Sequence, residues 1–493
     1  MKDWINNILL AWLLLLLFTT FGHSQAAFIG AQGAGAVTAG GRGGTICRVT
    51  NLNNSGAGSF RACAEGSGAR IVVFDVGGTI DMLSELHIQN PNISIYGQTA
   101  PGGGILISGK NAGSLDGFIY VNTNNVVIQY LSVRLGSSAS RPASTGTGIW
   151  IGNGTTNNVI LDHLSVSWTT DDCIAIWRQT GVPDIHSVTT SWSIFSEPLA
   201  AQATVFSIGS STSTDGMDNI DFHHNLAGWG THRMPHHSNH LFRYVNNITY
   251  NYSFRGYQCD DGCELDVISN IWKAGPANDA SVREMAVDPD LASNNASGIP
   301  SIYFTGNKGP HHSDPDTNGW PDMVWEVDGF NGPFLGTPLS DPTYRRLSPL
   351  AAQTFPITAT HANSLETLLL AHVGNSRRLS CLGEWEMRRD AVDARLIGEY
   401  NEGTGIAAPS DETSVGGYPT ISGGTACVDT DGGGVPDEYE DANGMNKASS
   451  ADDQATQSGV PCDTYTKLDC FLAGLQLSAD SKPITGKGSG IPK

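Results

Sequence analysis

Basic residues are scarce in this chain. Lys and Arg number 27 against 48 Asp and Glu, a formal charge of −21. Such a surface repels phosphate backbones and excludes nucleic acid as a partner. An acidic polymer is admissible only with something cationic, such as Ca²⁺, between the two. Charged residues of both signs make up only 15%, too few for a coiled coil or a charged disordered chain. Long apolar runs are missing after the N-terminus. The one at Ile8–Phe18 is eleven residues, too short for an ordinary membrane span. With Lys2 before it and Ser24-Gln25-Ala26 after it, residues 1–26 read as a secretory signal peptide, leaving no anchor and no stable membrane insertion after cleavage. No Cys-x-x-Cys pair occurs, which excludes a zinc ribbon.

Glycine, in contrast, is abundant at 59 of 493 residues, which suits many short strands joined by tight turns. A loose phrase recurs: Asn92-Ile-Ser-Ile, Asn125-Val-Val-Ile, Asn158-Val-Ile-Leu, Ser187-Val-Thr-Thr and Asn219-Ile-Asp-Phe. Its anchors Ile93, Val126, Val159, Val188 and Ile220 are 33, 33, 29 and 32 residues apart. Strand-like pieces follow at Phe242–Val245, Leu265–Ile268 and Ile302–Thr305. A period near thirty without helical patterning predicts an all-β, right-handed parallel β-helix over residues 27–345, whose rungs are stable only when stacked. A β-sandwich is the competing architecture, with Asn153-Gly154 its best hairpin turn. Residues 346–425 form a C-terminal extension wrapping the coil, with helical periodicity at Ser364–Val373 and Arg378–Tyr400. Residues 427–477 form an acidic unit, and 478–493 a disordered tail. Nine cysteines in an exported chain predict disulfides. Cys47–Cys63 and Cys259–Cys263 are the local candidates, and Cys173 the buried unpaired thiol.

Chemistry-bearing side chains concentrate in the middle of the coil. Eight of the 14 His lie between His163 and His240, and no Lys occurs between Lys110 and Lys273. The fixed cations there are arginines, among them Arg233 and Arg243. His232, His236 and His240 have metal-like spacing, but Pro235 argues against the helix that would align them.

Several segments in order resemble secreted pectate lyases. They are Gly40-Gly-Arg-Gly-Gly, Val49-Thr-Asn-Leu-Asn, Ser59-Phe-Arg, Ile71–Ile80 and Gly97-Gln-Thr-Ala-Pro-Gly. Val159-Ile-Leu-Asp162-His163, Ser191-Trp-Ser193, His223-His224-Asn225, Arg233-Met-Pro235 and Val245-Asn-Asn247 continue the series. The resemblance spans roughly residues 28–400. It implies calcium-assisted β-elimination of polygalacturonate to 4,5-unsaturated oligogalacturonates, with Arg233 as base. It implies Asp171 and Asp172 at a groove calcium, and His224, His236 and Arg243 as candidates for binding substrate. His232 or His236 could replace the arginine as base at less cost in pKa. The sequence departs from the family at Thr147 and Ile176, where acids of the calcium site are expected. The implied partner is an acidic plant or algal cell-wall polysaccharide, and the enzyme is expected to be a monomer. Asp171-Asp172-Cys173 also resembles a polygalacturonase phrase, but the chain has no Gly-His-Gly and no Arg-Ile-Lys. A non-catalytic β-helix adhesin is the remaining alternative.

The acidic unit carries a second signal. Asp429–Glu440 offers Asp429, Asp431, Asp437 and Glu440 at positions 1, 3, 9 and 12 of a calcium loop, with Gly434 at position 6. Position 5 is Gly433, which predicts weakened binding. The loop resembles half of a dockerin-like or thrombospondin-type calcium repeat, and Tyr465–Asp469 the remnant of a second.

Overall fold

The computed structural model describes residues 25–477 apart from 139–140, 142–144, 200–203, 279–281, 290–295, 328–336, 341 and 460–461. Of the signal-peptide reading of residues 1–26, residues 1–24 lie outside the described residues, as does the tail reading of 478–493.

Among the described residues the chain winds into three sheets of ten, eight and ten strands, parallel except for the antiparallel pairing of Val324–Glu326 with Thr337–Pro338 at one end of the third. Successive strands of one rung belong to different sheets: Thr156–Asp162 to the first, Ser165–Ser167 to the second and Ile174–Arg178 to the third. The recurring phrase is the first sheet. Ile93, Val126, Val159, Val188, Ile220, Phe242, Leu265 and Ile302 are register mates from strand to strand. Each phrase begins with a residue in left-handed backbone: Asn92, Asn125, Asn158, Ser187 and Asn219, with φ between 51° and 62°. Asn tolerates this region better than most residues, which explains why Asn recurs there. The fold is therefore a parallel β-helix, and Asn153-Gly154 is no hairpin: the strands it joins, Thr147–Gly152 and Thr156–Asp162, belong to different sheets.

From Val126 onward the passage from first to second sheet has constant length. Val126 to Ser132, Val159 to Ser165, Val188 to Ile194, Ile220 to Leu226, Phe242 to Ile248 and Leu265 to Ile271 are each six residues. Buried asparagines fix this corner. Asn225, Asn247, Asn270 and Asn307 form a ladder in which each amide nitrogen donates to the next side-chain oxygen at 3.0–3.2 Å. Inside the coil, Ile, Val, Leu and Phe fill a continuous apolar core.

Two outer faces are covered. Helices Ala362–His372 and Ala391–Glu402 seat Leu365, Leu369, Val392, Leu396 and Tyr400 on Trp168, Ile194, Leu226 and Tyr250 beside the second sheet. Val435, Tyr439, Leu468 and Phe471 pack against Ile71, Val73 and Tyr96 of the first. Neither apolar cluster includes a residue from any strand of the third sheet. The helix expected over Arg378–Tyr400 begins only at Ala391. Arg377–Leu379 and Trp385–Met387 form an antiparallel hairpin instead, turning at Gly383 (φ 74°) with Arg378 paired to Glu386 across it. Disulfides link Cys47–Cys63, Cys259–Cys263, Cys381–Cys427 and Cys462–Cys470, and Cys173 is buried and unpaired.

A buried ion pair clamps the second helix to the coil. The Arg134 guanidinium, with no exposed surface, donates to Asp390 at 2.7 Å and Asp393 at 3.0 Å, and Asp390 also caps the helix through Val392 N and Asp393 N. Arg134→Met would strand two buried carboxylates. The expected loss is about 3–5 kcal/mol, seen as a lower urea midpoint by tryptophan fluorescence; an unchanged midpoint would show that the clamp carries no net stability.

Candidate active site

Asp171 and Asp172 stand in the turn that leads into third-sheet strand Ile174–Arg178. Arg233 stands in the equivalent turn two rungs later, between Leu226–Gly230 and His236–His237. Rung stacking closes the gap in sequence. Cys173 N donates to Thr204 O at 3.2 Å, Thr204 bridges His232, and Phe206 N donates to Arg233 O at 3.1 Å. Arg233 itself has φ 58°, the left-handed backbone that the corner residues of other rungs also adopt.

The electrostatics follow from this crowding. Burial raises the Asp171 carboxyl, against the pull of the Arg233 charge. Burial together with repulsion from Asp171 pushes Asp172 up to about 8, although Arg233 and a 2.9 Å hydrogen bond from Ser207 Oγ oppose the shift. Thr147 lies at the site, its hydroxyl donating to Asp171 Oδ2 at 3.4 Å. Where the family resemblance implies a charge, this chain places a hydrogen bond. Among the described residues no third carboxylate or imidazole completes a three-ligand cluster with Asp171 and Asp172. Two adjacent carboxyls that resist ionising together suit a divalent cation that takes its other ligands from water and substrate.

The histidines of this face differ in role. Burial, then the charges of Arg233, His236 and Arg255, push His232 down to about 3. His236 Nε2 pairs with Asp260 Oδ2 at 2.5 Å. Asp260 is buried, which raises its carboxyl, yet His236 and Gln258 hold it below the ordinary range. Sequence reasoning missed Asp260. Its signal, Asp260-Asp261, was visible, but its position depends on short rungs: Asn225 to Asn247 is 22 residues and Asn247 to Asn270 is 23.

His224 and Arg243 are not in this groove. Both belong to the first-sheet side, under covering segments. His224 stacks on Trp192 with ring centroids 4.5 Å apart, and lines a cavity of about 240 Å³ with Asp162, His163 and His223. Arg243 is spent on Asp221 at 3.5 Å and on the carbonyl of Ala351 at 2.9 Å. Asp162 and His163 form a buried pair, 2.6 Å apart, with His163 sandwiched between Tyr130 and Trp192.

The acidic unit is also rearranged. Asp431 and Glu440 come together, but Asp429 turns to Arg48, and Asp437 reaches back to Thr430 N and Oγ1 at 2.7 Å. Tyr465–Asp469 is no second loop: Thr466 and Asp469 cap the helix Lys467–Leu472 reciprocally, and Asp469 pairs with Arg42.

Similarity to known proteins decides the family. The chain is 31% identical over 473 residues to the probable pectate lyase C of Aspergillus fumigatus, spanning 93% of this chain and 97% of the relative. That of Neosartorya fischeri is 31% identical over 474 residues, with the same coverage. The chain belongs to the pectate lyase family. It is a polysaccharide lyase, as the homologues and the β-helix agree. The probable pectate lyase C of Aspergillus terreus is 29% identical over 92% of this chain and 96% of its own. No protein-family model matches the chain. Among solved structures, the major allergen of cedar pollen aligns at TM-score 0.49 and 14% identity over 70% of this chain and 92% of the allergen. Pectate lyase II from Xanthomonas campestris aligns at TM-score 0.43 and 16% identity over 70% of this chain and 98% of its own. No described helix of this pectate lyase is long and apolar enough to cross a membrane.

The Asp172 shift gives a pH test. Its carboxyl is raised to about 8 in the folded lyase, against roughly 3.9 unfolded. Between these values the native state binds more protons, so this group's contribution to stability falls as pH rises. In chelator, Asp172→Asn is expected to melt above wild type by a margin that widens by a few degrees from pH 5 to 8.5. A margin independent of pH would mean that Asp172 ionises normally.

Proposed function

We propose that this lyase cleaves polygalacturonate by β-elimination along the third sheet, with Arg233 removing the C5 proton. The observation that carries the reading is one arginine within the field of a carboxyl pair, Asp172 buried and Asp171 half-buried, on the sheet that neither outer apolar cluster covers. Pectate is polyanionic, and Asp171 and Asp172 resist ionising together, so the pair meets a uronate favourably only with a cation between them. Ca²⁺ held by these two residues would neutralise the charge that gathers on the substrate carboxylate as the C5–H bond breaks. The electron pair of that bond forms the C4–C5 double bond, and the C4 oxygen departs. Asp171 and Asp172 orient the uronate; Arg233 reaches C5.

An arginine base is demanding: the guanidinium is ordinarily protonated, so Arg233 must first release a proton to solvent before its free nitrogen can accept the one from C5. The alternatives here are worse placed. His232 is unprotonated but, pushed down to about 3, too weak a base to draw a carbon-bound proton effectively. His236 has its Nε2 engaged by Asp260. The four disulfides and the N-terminal apolar run support an exported enzyme acting on acidic cell-wall polysaccharide.

The test is the ultraviolet absorbance of 4,5-unsaturated product from polygalacturonate and Ca²⁺. A hydrolase would release reducing ends without this chromophore, and an adhesin neither. Arg233→Lys keeps the charge but loses the planar fork, and should cost about 10²–10⁴ in rate while pectate binding persists. His232→Ala and His236→Ala should keep far more. Retention of over about a tenth of the rate by Arg233→Lys, with either alanine variant inactive, would make a histidine the base. Excess chelator should abolish turnover; full activity in chelator would replace calcium by an all-protein cation site.

A further inference from the structure

The acidic unit holds an arrangement that the catalytic reading does not use. Three carboxylates, from Asp431, Glu440 and Asp453, each place an oxygen within 4.8 Å of the others. Glu440 and Asp453 have no exposed surface, and neither oxygen of either has a hydrogen-bond partner. Asp431 Oδ1 accepts from Gly433 N at 2.9 Å, while its Oδ2 is buried and unpartnered. Basic side chains of this region are committed elsewhere: Arg48 to Asp429, Lys447 to Asp441 and Lys467 to Asp452. Burying even one unpaired carboxylate costs several kcal/mol. Without a cation the cluster must hold protons, and burial with mutual repulsion raises Glu440 to about 7 and Asp453 to about 8, whereas a cation among the three relieves all of them at once.

The geometry selects its kind. All donors are hard carboxylate oxygens, which favour Ca²⁺ or Mg²⁺ over softer metals. Mg²⁺ keeps several of its waters and is usually held by one or two carboxylates, whereas an enclosed cage of three carboxylates suits Ca²⁺.

Gly433 makes the cage possible. A Cβ at this position would lie 1.9 Å from Asp453 Oδ2. The residue expected to weaken a linear loop is the opening through which a carboxylate from a later helix, Ser450–Asp453, enters. The site is therefore assembled from two separate segments, and Asp429 and Asp437 serve as turn and capping groups around it.

We propose that Asp431, Glu440 and Asp453 bind a structural calcium ion, independent of the groove, that holds the C-terminal unit on the first turns of the coil. Seating follows from the neighbouring contacts: Val435 and Tyr439 flank the site and pack against Ile71, Val73 and Tyr96, and Asp429 pairs with Arg48 of strand Thr45–Val49.

The test uses full-length protein stripped with chelator and titrated with calcium chloride, followed by calorimetry and thermal unfolding. An Asp171→Asn/Asp172→Asn double variant silences the groove, so that failure of the groove reading leaves this test intact. That variant is expected to bind one equivalent of Ca²⁺ and to gain several degrees of Tm. Adding Asp453→Asn should weaken binding at least about tenfold and remove the gain, by loss of linkage between binding and folding. Should Asp453→Asn fail to fold, Asp431→Asn, at a less buried ligand, replaces it with the same expectation. Undiminished binding and Tm gain in the Asp453 and Asp431 variants, or no calcium response in the groove-silenced protein, would overturn the proposal. Equal response to magnesium chloride would overturn the choice of calcium.

Discussion

Stacked corners hold this molecule together. A rung reverses direction within a few residues, and at each corner one residue takes left-handed backbone. Corner residues then lie above one another: Asn92, Asn125 and Asn158 at the entry to the first sheet, and Tyr130, His163, Trp192 and His224 at its exit. Side chains at a shared corner satisfy each other, by amide hydrogen bonds in the first column and ring stacking in the second. Apolar filling of the coil and the parallel ladders both depend on this alignment, because a slip of one residue would turn each inward side chain outward.

On the proposed reading, function depends on which face the outer apolar clusters leave uncovered. Residues after the coil are used twice: as helices on the second sheet, and as the acidic unit on the first. The third sheet gathers carboxylates, histidines and arginines instead. Their charges compete with burial, so that Asp172 stays high, Asp260 low and His232 neutral within a short stretch of surface. Neighbouring groups held at such different protonation states are what acid–base chemistry on a polyanion requires.

Periodic parts of this architecture were legible in sequence. The phrases opened by Asn92, Asn125, Asn158, Ser187 and Asn219 name the first sheet strand by strand, because the corner constrains residue type and length together. The meeting of Asp171–Asp172 with Arg233 could be anticipated from the same repeat. What escaped were placements set by contacts rather than period. His224 and Arg243 have the right chemistry for a uronate, but the left-handed corner at His224 and alternation along Phe242–Val245 direct them beneath covering segments. Asp453 lies thirteen residues beyond Glu440 in sequence, counting 453 from 440, and no linear loop pattern includes it. The hairpin at Arg377–Met387 had apolar spacing compatible with a helix; Gly383 and the Cys381–Cys427 bond decided otherwise.

The six-residue passage from first to second sheet has a consequence for how such a protein can vary. Rungs differ in length, from 22 residues between Asn225 and Asn247 to 37 between Asn270 and Asn307. With that corner invariant, every added or deleted residue must fall on one of the two flanks of the third sheet. These flanks can thus be lengthened, shortened or exchanged while the buried ladder keeps count. On the proposed reading, a loop transplanted there would change what surrounds the substrate and leave the winding of the coil untouched.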